Sequence, residues 1–295
     1  MKKILKITFL ILSVTLCHFF AGCSHSAPAQ VAATTLPVYE FTAALCQGTD
    51  ITVTRLVTEE VSCLHDYSLN VRQVKAAEAA DLIVLSGAGL EEFMEDILEG
   101  KPAIDASQGI SLLCPEEEHH HDHEEEGHHH EQDPHIWLSP ENAKLMARNI
   151  CDGLSARYPA HAETLQNNLT ALLNRLSALQ TYGDAQLQNL TSRDIISFHD
   201  GFAYFAESFD LTILEAVEEE SGREASAKEL IHLIEIVQKN QLPSIFTEQN
   251  GSVSAAEIIS RETGAGCFAL DMAMSGDSYF DAMYHNIDTI KEALT

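Results

Sequence analysis

The sequence predicts an α/β protein with two lobes joined by one long helix. Short apolar runs alternate with amphipathic segments in the first half of the chain, and the same alternation returns in the second half. Between the two series lies a long stretch whose leucines recur at helical spacing. Short continuous apolar runs are typical of buried parallel strands, so each lobe is expected to contain a parallel sheet.

The first lobe is assigned to residues 31–157. Strands are predicted at residues 31–35, 51–57, 82–86 and 103–105, and helices after Pro37 and at residues 68–79 and 90–99. A further helix is predicted from Pro140 to about Arg157, because Ser139 suits an N-cap and proline suits the first helical position.

The connecting helix is assigned to residues 158–183 and the second lobe to residues 184–295. Tyr158-Pro159 interrupts the preceding helix, and Gly183-Asp184 is expected to end the connecting one. In the second lobe, strands are predicted at residues 195–198, 211–214, 244–247 and 267–270, with helices at 201–209, 226–240, 254–263 and 279–294. The elements therefore describe two Rossmann-like α/β lobes.

The N-terminus is predicted to be a secretory signal. A basic start precedes an uncharged apolar run at residues 7–20, which is too short for a transmembrane helix. The run ends in Ala21-Gly22-Cys23, which resembles a bacterial lipobox, although Phe20 stands where leucine is usual. This resemblance implies removal of residues 1–22, lipidation of Cys23, a tether at residues 23–30 and an extracytoplasmic, membrane-anchored protein. The alternative is an ordinary signal peptide cleaved nearby.

Charge excludes one class of partner. The formal net charge is −28, and it falls to −31 once residues 1–22, with three lysines and no acidic residue, are removed. Such an acidic protein is not expected to bind nucleic acid, and its partner should be cationic or indifferent to charge.

The cysteines allow a disulfide but no cysteine zinc site. Cys17 lies in the signal, and five cysteines remain beyond Cys23: Cys46, Cys63, Cys114, Cys151 and Cys267. Cys46 and Cys63 are the preferred pair, because they are close in sequence and flank a predicted strand in an exported protein. Five is an odd number, so at least one thiol stays unpaired or pairs between molecules. The absence of a C-x-x-C motif argues against a cysteine zinc site.

The most distinctive segment is the acidic, histidine-rich tract at residues 116–132, EEEHHHDHEEEGHHHEQ. Seven of the fifteen histidines fall in it: His119, His120, His121, His123, His128, His129 and His130. Imidazole is the commonest protein ligand for zinc and similar metals, and so polar a segment is expected to be a solvated loop. We expect weak metal sites that collect zinc or sense its excess. The alternatives are a dispensable solvated spacer and an expression tag.

Four further candidates lie where predicted strands end: His65, His135, His199 and Asp271. Ligands of α/β sheets gather at the carboxyl ends of strands, and each lobe supplies two of these residues. They therefore predict a site in the cleft between the lobes.

Each candidate taken alone also has a structural interpretation that needs no metal. A single histidine at a strand end is more often structural, and Asp271 also suits a capping position. Asp133 beside Pro134 is an ordinary turn signal. Three histidines on predicted helices are expected to be surface or packing residues: His161, His232 and His285.

Four segments of the chain resemble the signature regions of the metal-binding lipoproteins of ABC importers for zinc and manganese. They read LHDYSLN, DPHIWLSP, SFHDGFAYF and CFALDMAMSGDSYFDAMYHNI, and the resemblance extends from Val31 to the C-terminus. It includes the long helix and the histidine-rich tract. The resemblance implies a rigid connecting helix and one metal ligand from each segment, namely His65, His135, His199 and Asp271.

Residue 199 helps to choose the metal. The manganese branch of that family commonly has glutamate there, whereas this chain has His199. Three imidazoles and one carboxylate suit Zn²⁺, while Mn²⁺ prefers more oxygen ligands and remains the alternative. Asp66 and Asp200 are candidates to orient the neighbouring ligand rings, although adjacent side chains on a strand point apart. Glu248 resembles a cleft-facing position of the family, and its alternative role is a helix-start carboxylate.

The predicted function is extracytoplasmic capture of Zn²⁺ and delivery to an ABC permease by a monomeric binding protein that is not an enzyme. The alternatives are a manganese or iron component of the same class, a zinc hydrolase and a surface adhesin. The hydrolase is disfavoured because the sequence lacks H-E-x-x-H and because Asp271 would close the position that a catalytic zinc keeps open.

Overall fold

The computed structural model describes residues 30–61, 64, 67–113, 132–217 and 225–295. Several predicted features lie outside this described part: residues 1–29 with the signal and Cys23, the residues Cys63, His65 and Asp66, and the tract up to residue 131. Within the described ranges, no helix is long and apolar enough to cross a membrane.

The first lobe contains a four-stranded parallel sheet. Its strands are β1 (Gln30–Ala33), β2 (Thr52–Arg55), β3 (Leu82–Leu85) and β4 (Ala103–Asp105), in the order β2-β1-β3-β4. Its helices are α1 (Leu36–Leu45), α2 (Val71–Ala79) and the single turn α3 (Glu95–Leu98). Helix α2 starts later than predicted because Asn70 and Gln73 form a capping box there.

The predicted helix over residues 90–99 is only partly present. A 3₁₀ turn at Glu92–Met94 precedes the short helix α3. The reason is Glu91, whose buried carboxylate accepts hydrogen bonds from the backbone N–H groups of Ser86 (2.7 Å) and Gly87 (3.0 Å). These bonds hold the start of the segment against the end of β3, so the chain turns before it becomes helical.

Two long helices follow. Ser139 caps α4 (Pro140–Arg157) as predicted, and its hydroxyl accepts a hydrogen bond from Asn142 N–H. After a 3₁₀ turn at Pro159–His161, α5 runs over Ala162–Leu187. It packs against α1 and α4 and is about 39 Å long at the standard helical rise.

The predicted end of the connecting helix at Gly183-Asp184 is wrong. Gly183 is buried inside α5, and a Cβ atom there would lie 2.1 Å from Cε1 of the Phe209 ring. The glycine therefore permits close packing of α5 against the second lobe rather than ending the helix.

The second lobe repeats the design of the first. Its strands are β5 (Asp194–Ser197), β6 (Thr212–Ala216), β7 (Ser244–Glu248) and β8 (Gly266–Leu270), all parallel and in the order β6-β5-β7-β8. Its helices are α6 (Ala203–Ser208), α7 (Ala227–Asn240), α8 (Ser254–Thr263) and α9 (Tyr279–Leu294). Helix α9 packs against the connecting helix α5.

The two lobes share one hydrophobic core. Phe41 of α1 meets the Tyr279 ring of α9 edge-on, with ring centroids 5.0 Å apart. Tyr279 N–H donates to the Glu40 carboxylate (2.7 Å), and the Arg55 guanidinium donates to the Gly276 carbonyl (2.7 Å). Because these contacts join α1 and β2 to the segment before α9, the core continues from one lobe into the other.

The predicted Cys46–Cys63 disulfide involves a residue outside the described ranges, Cys63, and it stays a prediction. Cys46 carries a free thiol that is buried at the end of α1, as do Cys151 on α4 and the exposed Cys267. Burial, with a smaller contribution from nearby Cys151, raises the pKa of the Cys46 thiol to about 12. The end of α1 faces α4 in the fold, which places Cys46 near Cys151.

Candidate metal centre

Parallel strand ends in the second lobe place three candidate side chains at one edge of the sheet. His199 follows β5 by two residues, Glu248 is the last residue of β7, and Asp271 directly follows β8. Ser197 pairs with Phe246 across β5 and β7, and Glu248 pairs with Leu270 across β7 and β8. This register brings residues 199, 248 and 271 level with one another, as expected for carboxyl ends of parallel strands.

His135 joins this edge from the first lobe. It is buried, and its ring lies edge-on to that of His199 with ring centroids 5.3 Å apart. A Cβ atom at Gly201 would lie 2.7 Å from Cδ2 of His199 and 3.0 Å from Cε1 of His135. Only glycine therefore leaves room for both rings.

Asp133 orients the ring of the candidate ligand His135. One carboxylate oxygen of Asp133 accepts hydrogen bonds from Nδ1 of His135 (2.8 Å) and from the backbone N–H of the same residue (2.9 Å). A carboxylate can only accept, so Nδ1 carries the proton and the Nε2 lone pair is left to bind a metal. Sequence reasoning treated Asp133 as a turn residue. The D-P-H spacing was the available signal, since an aspartate before a turn can reach the residue two positions on.

His199 lies beside a buried carboxylate, that of Glu248. Oε2 of Glu248 is 3.3 Å from Nδ1 of His199, and Asp200, the neighbour of His199 in sequence, stays a predicted partner of the same ring. Burial, with an added contribution from Asp271, raises the pKa of Glu248 to about 8. The carboxylate next to His199 is therefore in an environment that disfavours its negative charge.

Asp271 is held in place through its backbone. Its N–H donates to the Asn286 side-chain oxygen (2.7 Å), and the Asn286 amide donates to its carbonyl (2.7 Å). The pKa of the Asp271 carboxyl is raised, mainly by burial and to a smaller extent by the charge of Glu60. A hydrogen bond from Ala273 N–H and the charge of His285 oppose this shift. Because Glu248 is buried, Asp271 is half-buried and the two charges repel each other, a cation between them would stabilise both charges.

The tryptophan next to His135 ties the two lobes together at this edge. The indole N–H of Trp137 donates to the Met272 carbonyl (2.8 Å), and the Tyr279 hydroxyl donates to the Trp137 carbonyl (2.8 Å). Trp137 is fully buried, and its ring centroid lies 5.4 Å from that of His135. The segment with His135 is thereby fastened to the segment with Asp271.

The described part of the chain holds an incomplete ligand set. His65 and Asp66 lie outside it, and among the residues it includes, no three His, Cys, Asp or Glu side chains are arranged to hold an ion. His161 pairs with Asp50 (2.7 Å) and His232 with Glu215 (3.7 Å) on the surface. Imidazole and carboxylate groups at the described edge are the ligand types that suit Zn²⁺.

Comparison with known proteins identifies the family. The model of the family described as ZnuA, zinc-uptake complex component A, periplasmic, matches residues 31–293. The zinc-binding lipoprotein AdcA of Streptococcus pneumoniae is 32% identical over 99% of this chain and 61% of its own length. The iron-binding protein YfeA of Yersinia pestis is 28% identical over 82% of this chain and 79% of its length. The chain thus spans only about six tenths of AdcA.

Solved structures agree with the fold. A crystal structure of ZnuA superposes with a TM-score of 0.77 at 30% identity and covers 90% of this chain and 100% of that one. The Zn(II)-bound ZnuA-like domain of Streptococcus pneumoniae AdcA superposes with a TM-score of 0.75 at 26% identity, covering 90% and 98%. The match to the family model extends over both lobes and the connecting helix, and the chain therefore belongs to the ZnuA family of periplasmic zinc-uptake components.

Proposed function

We propose that this protein captures Zn²⁺ outside the cytoplasm and delivers it to the permease of an ABC importer. The observation that carries the proposal is the contact between the His135 and His199 rings beside the buried Glu248 carboxylate and the half-buried Asp271. Relatives named as zinc-binding lipoproteins and a Zn(II)-bound structure of the same fold support it. The role is binding and transport rather than catalysis.

The proposed ligands are His65, His135, His199 and Asp271, with Glu248 beside them. His135 and His199 would each supply an imidazole nitrogen, and Asp271 a carboxylate oxygen. The bonds of Trp137 and Asn286 hold the segments of His135 and Asp271 to the same sheet edge. His65 belongs to a different segment of the first lobe, so a small shift of that segment would open the site for release.

Zinc is favoured over manganese by the donor atoms. An imidazole at position 199 adds a nitrogen ligand where Mn²⁺ would favour oxygen. One relative named for iron marks the alternative cargo in the same class. Lower pH should weaken zinc binding, because a protonated histidine cannot bind a metal.

The location and the tract complete the proposal. Cys23 is the proposed lipid anchor, and the mature chain is proposed to act as a monomer next to its permease. The histidines of residues 116–131 are proposed to hold additional zinc weakly, because a polar, acidic segment with many equivalent imidazoles offers many similar sites.

The test is metal analysis and calorimetry on metal-stripped protein. The wild type should bind one Zn²⁺ tightly, and His199→Ala should lose that site. His161→Ala is the matched control, since it removes a histidine that pairs with Asp50 on the surface. Tighter binding of Mn²⁺ than of Zn²⁺, or a tight site that survives His199→Ala, would contradict the proposal.

A further inference from the structure

The two residues that flank the histidine-rich tract, Leu113 before it and Asp133 after it, meet at one buried tyrosine. Asp133 N–H donates to the Leu113 carbonyl (3.0 Å), so the chain closes on itself before and after the tract. Leu113 N–H donates to the Tyr204 hydroxyl oxygen (2.9 Å), and that hydroxyl donates to the Asp133 carbonyl (3.0 Å). We call these three bonds the clasp.

Tyr204 reaches the clasp from the other lobe. It lies on α6 of the second lobe, it is 1% exposed, and it is five positions after His199 in the sequence. Its hydroxyl contacts backbone groups that are twenty positions apart in the chain. A hydroxyl bonded to both segments resists their separation, because opening would break two part-buried hydrogen bonds and leave the hydroxyl of a buried side chain without these partners.

The clasp is directly connected to the candidate centre. Asp133 has two roles, since its backbone belongs to the clasp and its carboxylate holds Nδ1 of His135. A shift of the Asp133 backbone would therefore turn the His135 ring away from His199.

We propose that Tyr204 is a positioning residue that holds the zinc site in place at the base of the tract. This inference rests on the proposed function. The Tyr204 hydroxyl holds Asp133 in place, and Asp133 holds the ring of His135. The tract can then bind or release ions while the ring of His135 keeps its orientation.

Chain entropy indicates why a clasp is needed. The probability of closing a loop falls with the three-halves power of its number of residues, so a longer insertion between Leu113 and Asp133 makes closure less favourable. Replacing residues 116–131 with Gly-Ser would leave five residues between Leu113 and Asp133 in place of nineteen. In the absence of the Tyr204 hydroxyl, that change should raise the probability of closure roughly sevenfold.

The decisive experiment is a double-mutant cycle on the full-length chain. Tyr204→Phe keeps the ring and removes only the hydroxyl, and it is made in the natural chain and in the shortened one. Zinc affinity is measured by competition with a chromophoric chelator. We expect a loss of about tenfold in the natural chain, which is the scale of one or two buried hydrogen bonds, and less than about twofold in the shortened chain.

Tyr182→Phe is the matched control. It removes a hydroxyl that joins α5 to Asp288 of α9 (2.6 Å) on the surface, and it should leave zinc affinity unchanged in both backgrounds. Equal losses for Tyr204→Phe in both backgrounds would show a general structural role and overturn the inference, as would no loss at all.

A second measurement does not depend on zinc. Hydrogen exchange of the Leu113 and Asp133 amides in metal-free protein should accelerate in Tyr204→Phe and stay unchanged in Tyr182→Phe. Unchanged exchange in Tyr204→Phe would overturn the clasp itself. Failure of the wild type to bind zinc would instead overturn the proposed function and leave the exchange result to decide the clasp.

Discussion

Asp133→Asn tests whether the orientation of His135 controls zinc affinity. The carboxylate accepts two hydrogen bonds from His135, at 2.8 and 2.9 Å, and its side chain is 9% exposed. Asparagine has nearly the same shape, but it removes the charge, and its amide can present a donor to Nδ1 instead of an acceptor.

The expected loss of affinity can be worked from these contacts. A hydrogen bond to a charged group contributes about 1.5–3 kcal/mol, and little solvent screens this one. Replacement of such partners of metal-binding histidines typically weakens affinity by about 10–100-fold, or about 1.4–2.7 kcal/mol. The two ranges agree, so we expect a loss of zinc affinity within them.

The assay is competition between the protein and a chromophoric chelator for Zn²⁺ at fixed pH and ionic strength. Fluorescence of Trp137, the single tryptophan, gives a second signal because its ring lies next to His135. Asp50→Asn is the matched control, since it alters a histidine–aspartate pair of 2.7 Å on the surface. An affinity for Asp133→Asn within twofold of the control would refute the reasoning.

Three further predictions concern the packing of the site, the tract and a buried acid. Gly201→Ala should weaken zinc binding at least about tenfold, because its Cβ would lie 2.6 Å from Met272 Cε and 2.7 Å from His199 Cδ2. Gly183→Ala is the control, and it should lower the unfolding temperature without changing zinc affinity. An equal loss of zinc affinity in Gly201→Ala and Gly183→Ala would contradict the prediction. Replacing residues 116–131 with Gly-Ser should remove the weak zinc equivalents seen by calorimetry and keep the tight one; loss of the tight site would make the tract the binding centre. Burial raises the pKa of Glu91 from 4.5 to about 7. The contribution of this shift to the free energy of unfolding is fully present below pH 4.5, where the carboxyl is protonated, and it is lost as the pH rises through about 7. The free energy of unfolding of the wild type relative to Glu91→Gln should therefore fall by about 3 kcal/mol between pH 4.5 and 8 in urea titrations, and parallel profiles would contradict this.

Local sequence patterns predicted most of the fold. The apolar runs at residues 82–86 and 244–247 became buried strands, and Ser139-Pro140 marked the start of α4. The errors came from long-range contacts. Gly183 was expected to end α5, but the Phe209 ring packs against it, and Glu91 delays the helix after β3 by bonding to the strand end.

The candidate site divides in the same way. The histidine at the end of β5 and the aspartate at the end of β8 could be found from the chain alone, because strand ends are visible in the hydrophobic pattern. Glu248 also stood at a predicted strand end. Its contact with His199 depends on the register of β5 and β7, which no local pattern encodes.

The sequence by itself determined the α/β class, the order of the elements, the candidate metal ligands and the family resemblance. These properties arise from residue type and short-range spacing. Only the tertiary structure decided which carboxylate serves which ring, that Cys46 lies near Cys151, and that Tyr204 closes the base of the tract. The physical reason is that hydrogen bonds and packing act over a few ångströms in space, and residues far apart in the chain reach that range only after the fold has formed.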